Sequence, residues 1–378
     1  MRILFNGYAK PGVGGPQCHA SGFQVALRAR GFDAVGIVLR RALDGAEQPS
    51  RIETPSGPMH QHFLDLATNE ALRRPEPGLP PAVEAAAERV VEILSSEAPD
   101  ALILNGFSLA NAYLAHAAER LNIPFYFSHH GFWFAEIPAA LPLAAQARMR
   151  AMESEAIRAA RANVYLNAWS RERVEEAYPG SRRQDDVVIP LPYNPVFLNE
   201  AAPSIASDDR ATVGFVARWD PIKNIGLMRA FAQAAMDVRV LAPIEIGGRK
   251  SLAAEEDAFP SVVQIMPPLP QEALPGFYRS CDLMVLPSRF DVSPTVVMEA
   301  ALQGRGTVIS DRVGWVETYE RLGMEDWIVR DPSPERLETA VRRCLGKPVP
   351  KRFRDEVLDH HHPDRVFDAW ASLLTSNV

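Results

Sequence analysis

The chain has 378 residues, 47% of them hydrophobic and 23% charged, an ordinary globular composition with room for two separate cores. A formal net charge of -7 argues against a dedicated nucleic-acid binder, which carries a basic face. Cys18, Cys281 and Cys344 are far apart and form no CxxC pair, so neither a disulfide framework nor a structural zinc site is expected, and no run approaches the roughly 20 apolar residues of a membrane span.

In chain order, the opening Arg2-Ile3-Leu4-Phe5-Asn6-Gly7 reads as one strand and a turn, not a signal peptide, and a cytoplasmic location is expected. Further strands are predicted at 33–39, 101–105, 124–128, 162–166 and 187–190, with helices at 17–30, 81–95, 109–121, 140–160 and 170–177. Residues 44–81, rich in proline, glycine and polar side chains, show little sign of regular structure. Prolines and a polar run over 192–209 read as a linker. Strands then follow at 212–217, 237–241, 262–266, 282–286, 307–310 and 327–329, with helices at 225–235, 271–279, 295–303 and 334–345. His360-His361-His362-Pro363 reads as a surface turn rather than a metal site, ahead of a last helix at 364–374.

The alternation predicts α/β architecture, and the near-continuous Val, Ile and Leu of the strands predicts parallel sheets buried on both faces. Each half forms its own doubly wound domain. The expected division is 1–195, a linker at 196–210, a second domain at 211–358 and a tail at 359–378. In such sheets ligands bind beyond the carboxyl ends of the strands, so the residues there carry the functional reading.

After the first strand come Gly12-Val13-Gly14-Gly15-Pro16 and a helix, where glycines admit a close ligand and the helix start favours an anion. A dinucleotide fingerprint needs GxGxxG and an acid about 20 residues later. Gln17 and the strand end Val38-Leu39-Arg40-Arg41 depart from it, which disfavours a nicotinamide-dependent dehydrogenase. The strand at 124–128 runs into His129-His130-Gly131-Phe132-Trp133, imidazoles and aromatics that suit a sugar pocket. Arg218 and Lys223 flank a short turn before a helix and form a candidate diphosphate clamp. The strand at 282–286 leads into Pro287-Ser288-Arg289-Phe290-Asp291-Val292-Ser293-Pro294-Thr295, with Glu299 inside the next helix. Ser293 is the expected N-cap and Pro294 a first-turn residue. Each feature alone has a plain structural reading: a tight turn, a core histidine, solvated cations, a capped helix.

Together these blocks resemble the retaining GT-B glycosyltransferases of family GT4. The resemblance is carried by Gly14-Gly15, by Pro124 through His130-Gly131, by Ala217-Arg218 with Lys223 and Asn224, by Pro287-Ser288 with Asp291-x7-Glu299-Ala300, and by Val308-Ile309-Ser310-Asp311 with Gly314-Trp315 and Glu317. Departures are Asp291 for the first glutamate, Ser293-Pro294-Thr295 for a glycine-containing segment, and Ala217, Asn224 and Trp315 for glycines.

The resemblance implies two Rossmann-like domains facing a central cleft, with a nucleotide-sugar donor held by the C-terminal domain and the acceptor by the N-terminal one. It implies no cofactor and no metal, Arg218 and Lys223 offsetting leaving-group charge instead. Glu299 would hold the ribose, and Asp291 with Ser293, Pro294 and Thr295 the donor sugar. His130 would sit near the reacting carbon. Gly14 and Gly15 would let the first loop close over the phosphates, and the last helix would cross back to the first domain. The expected activity is transfer of a hexosyl group from a UDP- or GDP-linked donor to a hydroxyl acceptor, a small molecule or secondary metabolite. No nucleic-acid partner is expected, and membrane contact and oligomeric state stay open. The alternatives are a sugar-nucleotide epimerase of the same fold and a non-catalytic nucleotide-sugar-binding subunit.

Overall fold

The computed structural model describes residues 1–6, 15–41, 49–64, 81–137, 141–199, 210–218, 220–235, 237–245 and 259–376. The chain divides into two compact units, Met1–Pro190 with Phe367–Val378, and Leu191–Val366.

In the first unit, β1 (Arg2–Asn6), α1 (Gly15–Ala29), β2 (Asp33–Arg41), β3 (Ser50–Thr54), β4 (Gly57–Leu64) and α2 (Pro81–Glu97) are followed by β5 (Ala101–Asn105) and α3 (Leu109–Arg120). Then come β6 (Phe125–His129), α4 (Trp133–Glu136), α5 (Leu143–Ala159), β7 (Ala162–Tyr165), α6 (Ala168–Ala177) and β8 (Val187–Val188). The described strands form one sheet in the order β3-β4-β2-β1-β5-β6-β7-β8, parallel throughout except for the β3–β4 hairpin. Every residue of β6 and β7 is buried, as expected of strands covered on both faces. The direction of winding reverses between β1 and β5, which is the switch point of this sheet.

The hairpin corrects the reading of 44–81 as irregular. Its strands are short and polar, so no apolar run announces them. The turn is closed by the Thr54 hydroxyl donating to the Gly57 carbonyl at 2.8 Å. Gln24, buried on α1, donates to the carbonyls of Pro58 and Ala34 and ties β4 beside β2. Gly57 has φ +132°, and a Cβ there would stand 2.9 Å from Gln24 Nε2, so both backbone and space require glycine.

In the second unit, β9 (Thr212–Gly214), β10 (Ala217–Arg218), α7 (Ile225–Ala234), β11 (Arg239–Glu245), β12 (Val263–Met266), α8 (Leu274–Ser280), β13 (Leu283–Leu286) and α9 (Thr295–Leu302) lead to β14 (Thr307–Ser310) and α10 (Val316–Arg321). The chain continues through β15 (Ile328–Val329), α11 (Pro334–Cys344), α12 (Lys351–His360) and α13 (Pro363–Ser376). β9 and β10 face β11 in one register, Thr212 opposite Arg239 and Ala217 opposite Ile244, so they are one strand kinked at 215–216. The described sheet therefore runs β12-β11-β9/β10-β13-β14-β15, the nucleotide-binding strand order, with its switch point between β9 and β13.

α12 was not foreseen: only Phe353 and Val357 anchor it to the core. The expected surface turn at 360–362 is also corrected, because His361 is only 7% exposed. From Phe367 the chain belongs to the first unit, where Phe23 of α1 meets Phe367 and stands edge-on to Trp370 at 5.1 Å. Among the described residues no helix is long and apolar enough to cross a membrane.

Candidate active site

The carboxyl ends of β10 and β13 gather most of the predicted residues. Exposed Arg218 ends β10. Asp220 then caps the 3-10 turn Pro221–Lys223, its carboxylate accepting from Ile222 N at 3.0 Å. Asn224 closes the turn in the left-handed region (φ 56°, ψ 46°), where asparagine is the best substitute for glycine. That accounts for one departure from the GT4 pattern. Its side chain also donates to the Pro287 carbonyl at 3.2 Å, and Arg289 N donates to the Ile222 carbonyl at 2.7 Å. The loops after β10 and β13 are thus stitched together.

This stitching brings Lys223 Nζ into a close ion pair with Asp291 Oδ2, and the two side chains are only 16% and 14% exposed. Asp291 is held by its backbone as well: its N–H donates to the Arg312 carbonyl at 3.1 Å, and its carbonyl accepts from Gly314 N at 2.8 Å. Trp315 adds a third tie, its indole N–H donating to the Pro294 carbonyl at 3.1 Å.

Ser293 is not the N-cap of α9. Pro294 occupies that position, no side chain caps the helix, and Thr295 is its first residue. Pro294 itself is extended, with φ -64° and ψ 121°, so the helix starts one position later than its serine suggests. The Thr295 hydroxyl bonds instead to Glu299, one turn on. Glu299 is 9% exposed, and its Oε2 accepts from the buried Tyr278 hydroxyl at 2.5 Å. Burial raises its pKa above the usual carboxylate range, against the lowering effect of these two hydroxyls.

In the first unit the two histidines after β6 separate. His129 is fully buried, stacked on Phe132 and Tyr165, with Nε2 3.0 Å from Asn163 Oδ1. Burial lowers its pKa to about 4, so it is a neutral core residue. His130 is half-buried, with Nε2 3.1 Å from the Ser128 hydroxyl. The loop behind it is clamped by two glutamates. Phe132 N donates to Glu136 Oε1 at 3.2 Å, and a Cβ at Gly131 would stand 2.5 Å from that oxygen, so a larger residue there would displace the Glu136 carboxylate. Glu153 of α5, fully buried, accepts from Trp133 N at 2.7 Å, Phe134 N at 3.0 Å and the Tyr178 hydroxyl at 2.6 Å. Its pKa is raised by burial. The sequence reading passed over Glu153, although its place on the buried stripe Ala145, Glu153, Ala156, Ile157 is a signal.

A second unforeseen group lies at the β1–β5 switch point. Asn105 N donates to Asn6 Oδ1 at 2.6 Å, and Asn111 Nδ2 to the carbonyls of Asn105 and Gly106. Both polar atoms of the Asn105 side chain are shielded and without a partner among the described residues. Beside them Phe107 stands edge-on to Trp133 at 4.6 Å. Gly14 lies outside the described residues, and Gly15 is the first residue of α1.

Two doubly wound sheets with charged groups at the second switch point fit a glycosyltransferase, and the comparisons identify that class. The family described as Glycosyl transferase 4-like domain matches residues 14–192, and that described as Glycosyl transferases group 1 matches residues 210–347. The chain belongs to the group 1 glycosyltransferases of the GT4 type. D-inositol 3-phosphate glycosyltransferase 1 of Catenulispora acidiphila is 31% identical over 138 residues, a match spanning 32% of this chain and 32% of that protein. Among solved structures, a sucrose-phosphate synthase from Thermosynechococcus elongatus is 15% identical with TM-score 0.76, covering 99% of this chain and 98% of the other. An alpha,alpha-trehalose-phosphate synthase (UDP-forming) from Burkholderia xenovorans, in complex with glucose-6-phosphate, is 13% identical with TM-score 0.72, covering 99% of each chain. A structure described as trehalose-6-phosphate from E. coli bound with UDP-2-fluoro glucose is 13% identical with TM-score 0.71, covering 100% of this chain and 99% of the other. At such identities the likeness establishes the fold, which is GT-B.

Proposed function

We propose that the protein transfers a hexosyl group from a UDP- or GDP-linked sugar to a hydroxyl acceptor with retention of configuration, in the cytoplasm and without a metal. The observation that carries this is the Lys223–Asp291 ion pair on stitched loops at the β9–β13 switch point, with Arg218 ending β10 and Glu299 in the helix that follows. The GT4 membership and the UDP-sugar analogue bound in the E. coli structure support it.

In this reading the domain over 211–358 binds the donor and that over 1–195 the acceptor, joined by the linker at 196–210, with 359–378 returning to the first. Gly14 and Gly15 belong to the loop that closes over the phosphates. Arg218 and Lys223 bind the diphosphate, and their fixed charge stabilises the leaving group as its bond to the sugar breaks. Glu299 holds the ribose, and Asp291 with Ser293, Pro294 and Thr295 the sugar. The acceptor oxygen attacks the face that the phosphate leaves, and its proton passes to the departing phosphate oxygen. His130 sits by the reacting carbon, and closure keeps out water that would hydrolyse the donor. The unpaired Asn105 amide and the Phe107–Trp133 pair support an acceptor rich in hydroxyls, a small molecule.

The test is thermal stabilisation by UDP, GDP and their sugars, without metal. A ligand at about a hundred times its Kd adds about 2.7 kcal/mol of stability. One diphosphate series should stabilise the wild type and lose its effect in Arg218→Ala. If neither series binds, the donor reading and its site assignments fail together.

A further inference from the structure

Trp315 stands where the GT4 pattern has a glycine, and its contacts run in two directions. Toward the loop after β13, its indole N–H donates to the carbonyl of Pro294, the N-cap residue of α9. On its other side its ring lies over His361, centroids 5.0 Å apart and planes 32° apart, with Phe353 edge-on at 5.6 Å. Trp315 is 4% exposed and His361 7%, so water does not compete for these contacts.

His361 continues the path. Its Nδ1 lies 2.7 Å from the Leu191 carbonyl, and since a carbonyl only accepts, Nδ1 carries the proton. Burial lowers its pKa to about 4, which keeps the ring neutral. Its own carbonyl accepts from Tyr193 N at 2.9 Å, and the neighbouring His362 ring stands edge-on to Tyr193 at 5.8 Å. Leu191 is the first residue of the second unit, and His361 lies five residues before that unit ends at Val366. The two stretches by which the chain enters and leaves the unit are therefore laced to each other at His361.

We propose that Trp315 and His361 are positioning residues that couple the first turn of α9 to the crossing segment at Leu191–Tyr193, so that ordering of the turn by a bound nucleotide is felt at the crossing. The last clause rests on the donor assignment made above; the coupling does not. The path consists of two hydrogen bonds and one ring contact, each lost by a single substitution. Trp315→Phe keeps a ring against His361 and removes the donor to Pro294. His361→Phe keeps a ring against Trp315 and removes the donor to Leu191. His361→Asn restores an N–H near the position of Nδ1.

Amide hydrogen exchange of the full chain, followed by mass spectrometry, tests the coupling without ligand. Trp315→Phe should speed exchange about three- to tenfold at Tyr193 as well as in the first turn of α9, and His361→Phe should do the same at α9 as well as at Tyr193. His361→Asn should return Tyr193 toward wild type and leave α9 fast, because it restores the N–H and not the ring. The coupling is overturned if each variant loosens only the segment whose own bond was removed. It is overturned too if β14 speeds up equally, since the pair then only stabilises the unit as a whole. A second arm adds UDP and GDP. Whichever binds should slow both segments in the wild type and α9 alone in Trp315→Phe. If neither nucleotide changes exchange anywhere in the second unit, the donor reading fails, while the ligand-free arm still decides the coupling.

Discussion

The two sheets share one winding pattern, but their switch points present different chemistry. In the second unit the strand ends carry charge: Arg218, Lys223 paired with Asp291, and Glu299 held by Tyr278. In the first unit they carry amides, an imidazole and aromatic rings: Asn6, Asn105, Asn111, His130, Phe107 and Trp133. The charged residues near that imidazole, Glu136 and Glu153, spend oxygens on backbone N–H groups of the loop. One topology thus presents a charged end and a neutral polar end, and the difference lies in the residues at the strand ends and just beyond them.

The comparison is sharpened most by Lys223→Ala. Removing this cation should lower kcat by about 100- to 1000-fold, as for loss of a preorganised group facing developing charge, and should weaken UDP or GDP binding. Steady-state kinetics with titration of the nucleotide checks it; unchanged turnover would remove the charged end from the chemistry. Next in size is Glu153→Ala. It leaves two buried N–H groups and the Tyr178 hydroxyl without their acceptor, and should cost about 3 kcal/mol in urea unfolding. In the folded fraction it should reduce turnover while nucleotide affinity holds. Selective loss of nucleotide binding would break the division of labour between the units.

A smaller effect is set by pH. His129 and His361 have pKa values lowered to about 4 by burial, against 6.5 unperturbed. Unfolded chains therefore take up protons that the folded protein excludes, so the stability these histidines contribute is fully present above about pH 6.5 and is lost as the pH falls toward 4. Urea midpoints across that range check it, and His129→Asn with His361→Asn should flatten the slope. The smallest effect is expected at Asn105→Ala. It should leave stability within about 0.5 kcal/mol, because its side chain has no partner among the described residues, and raise the KM for acceptor alone.

Much of this arrangement was legible in the sequence because strand, loop and helix agree at each block. Pro287-Ser288 follows a buried strand, Asp291 lies in the loop to Thr295, and Glu299 lies in the helix after it, as the spacing predicts for these elements. What escaped depends on distant partners. Nothing local marks Ser50–Leu64 as two strands, since their pairing needs β2 and Gln24. Ser293 is a good cap by composition, but Pro294 takes an extended backbone and the N-cap position itself, which the residue types do not reveal. The central histidine of a polar triplet reads as exposed until Leu191, 170 residues away, supplies the carbonyl that lets it be buried. Glutamate on an apolar helical stripe looks like noise until three donors converge on it.

The hairpin that the sequence concealed also bears on how the protein behaves in a crowded solution. An open sheet ends in strands with unused backbone groups, which invite pairing with another chain. Here the outer strand at one end is β3, five residues long and carrying Arg51 and Glu53, and at the other end β8, only two residues long. Excising β3 would expose β4, eight residues long and ending in Phe63-Leu64, as a template for stacking molecules side by side. Among the described strands, the small antiparallel one thus blunts the edge that β4 would otherwise present.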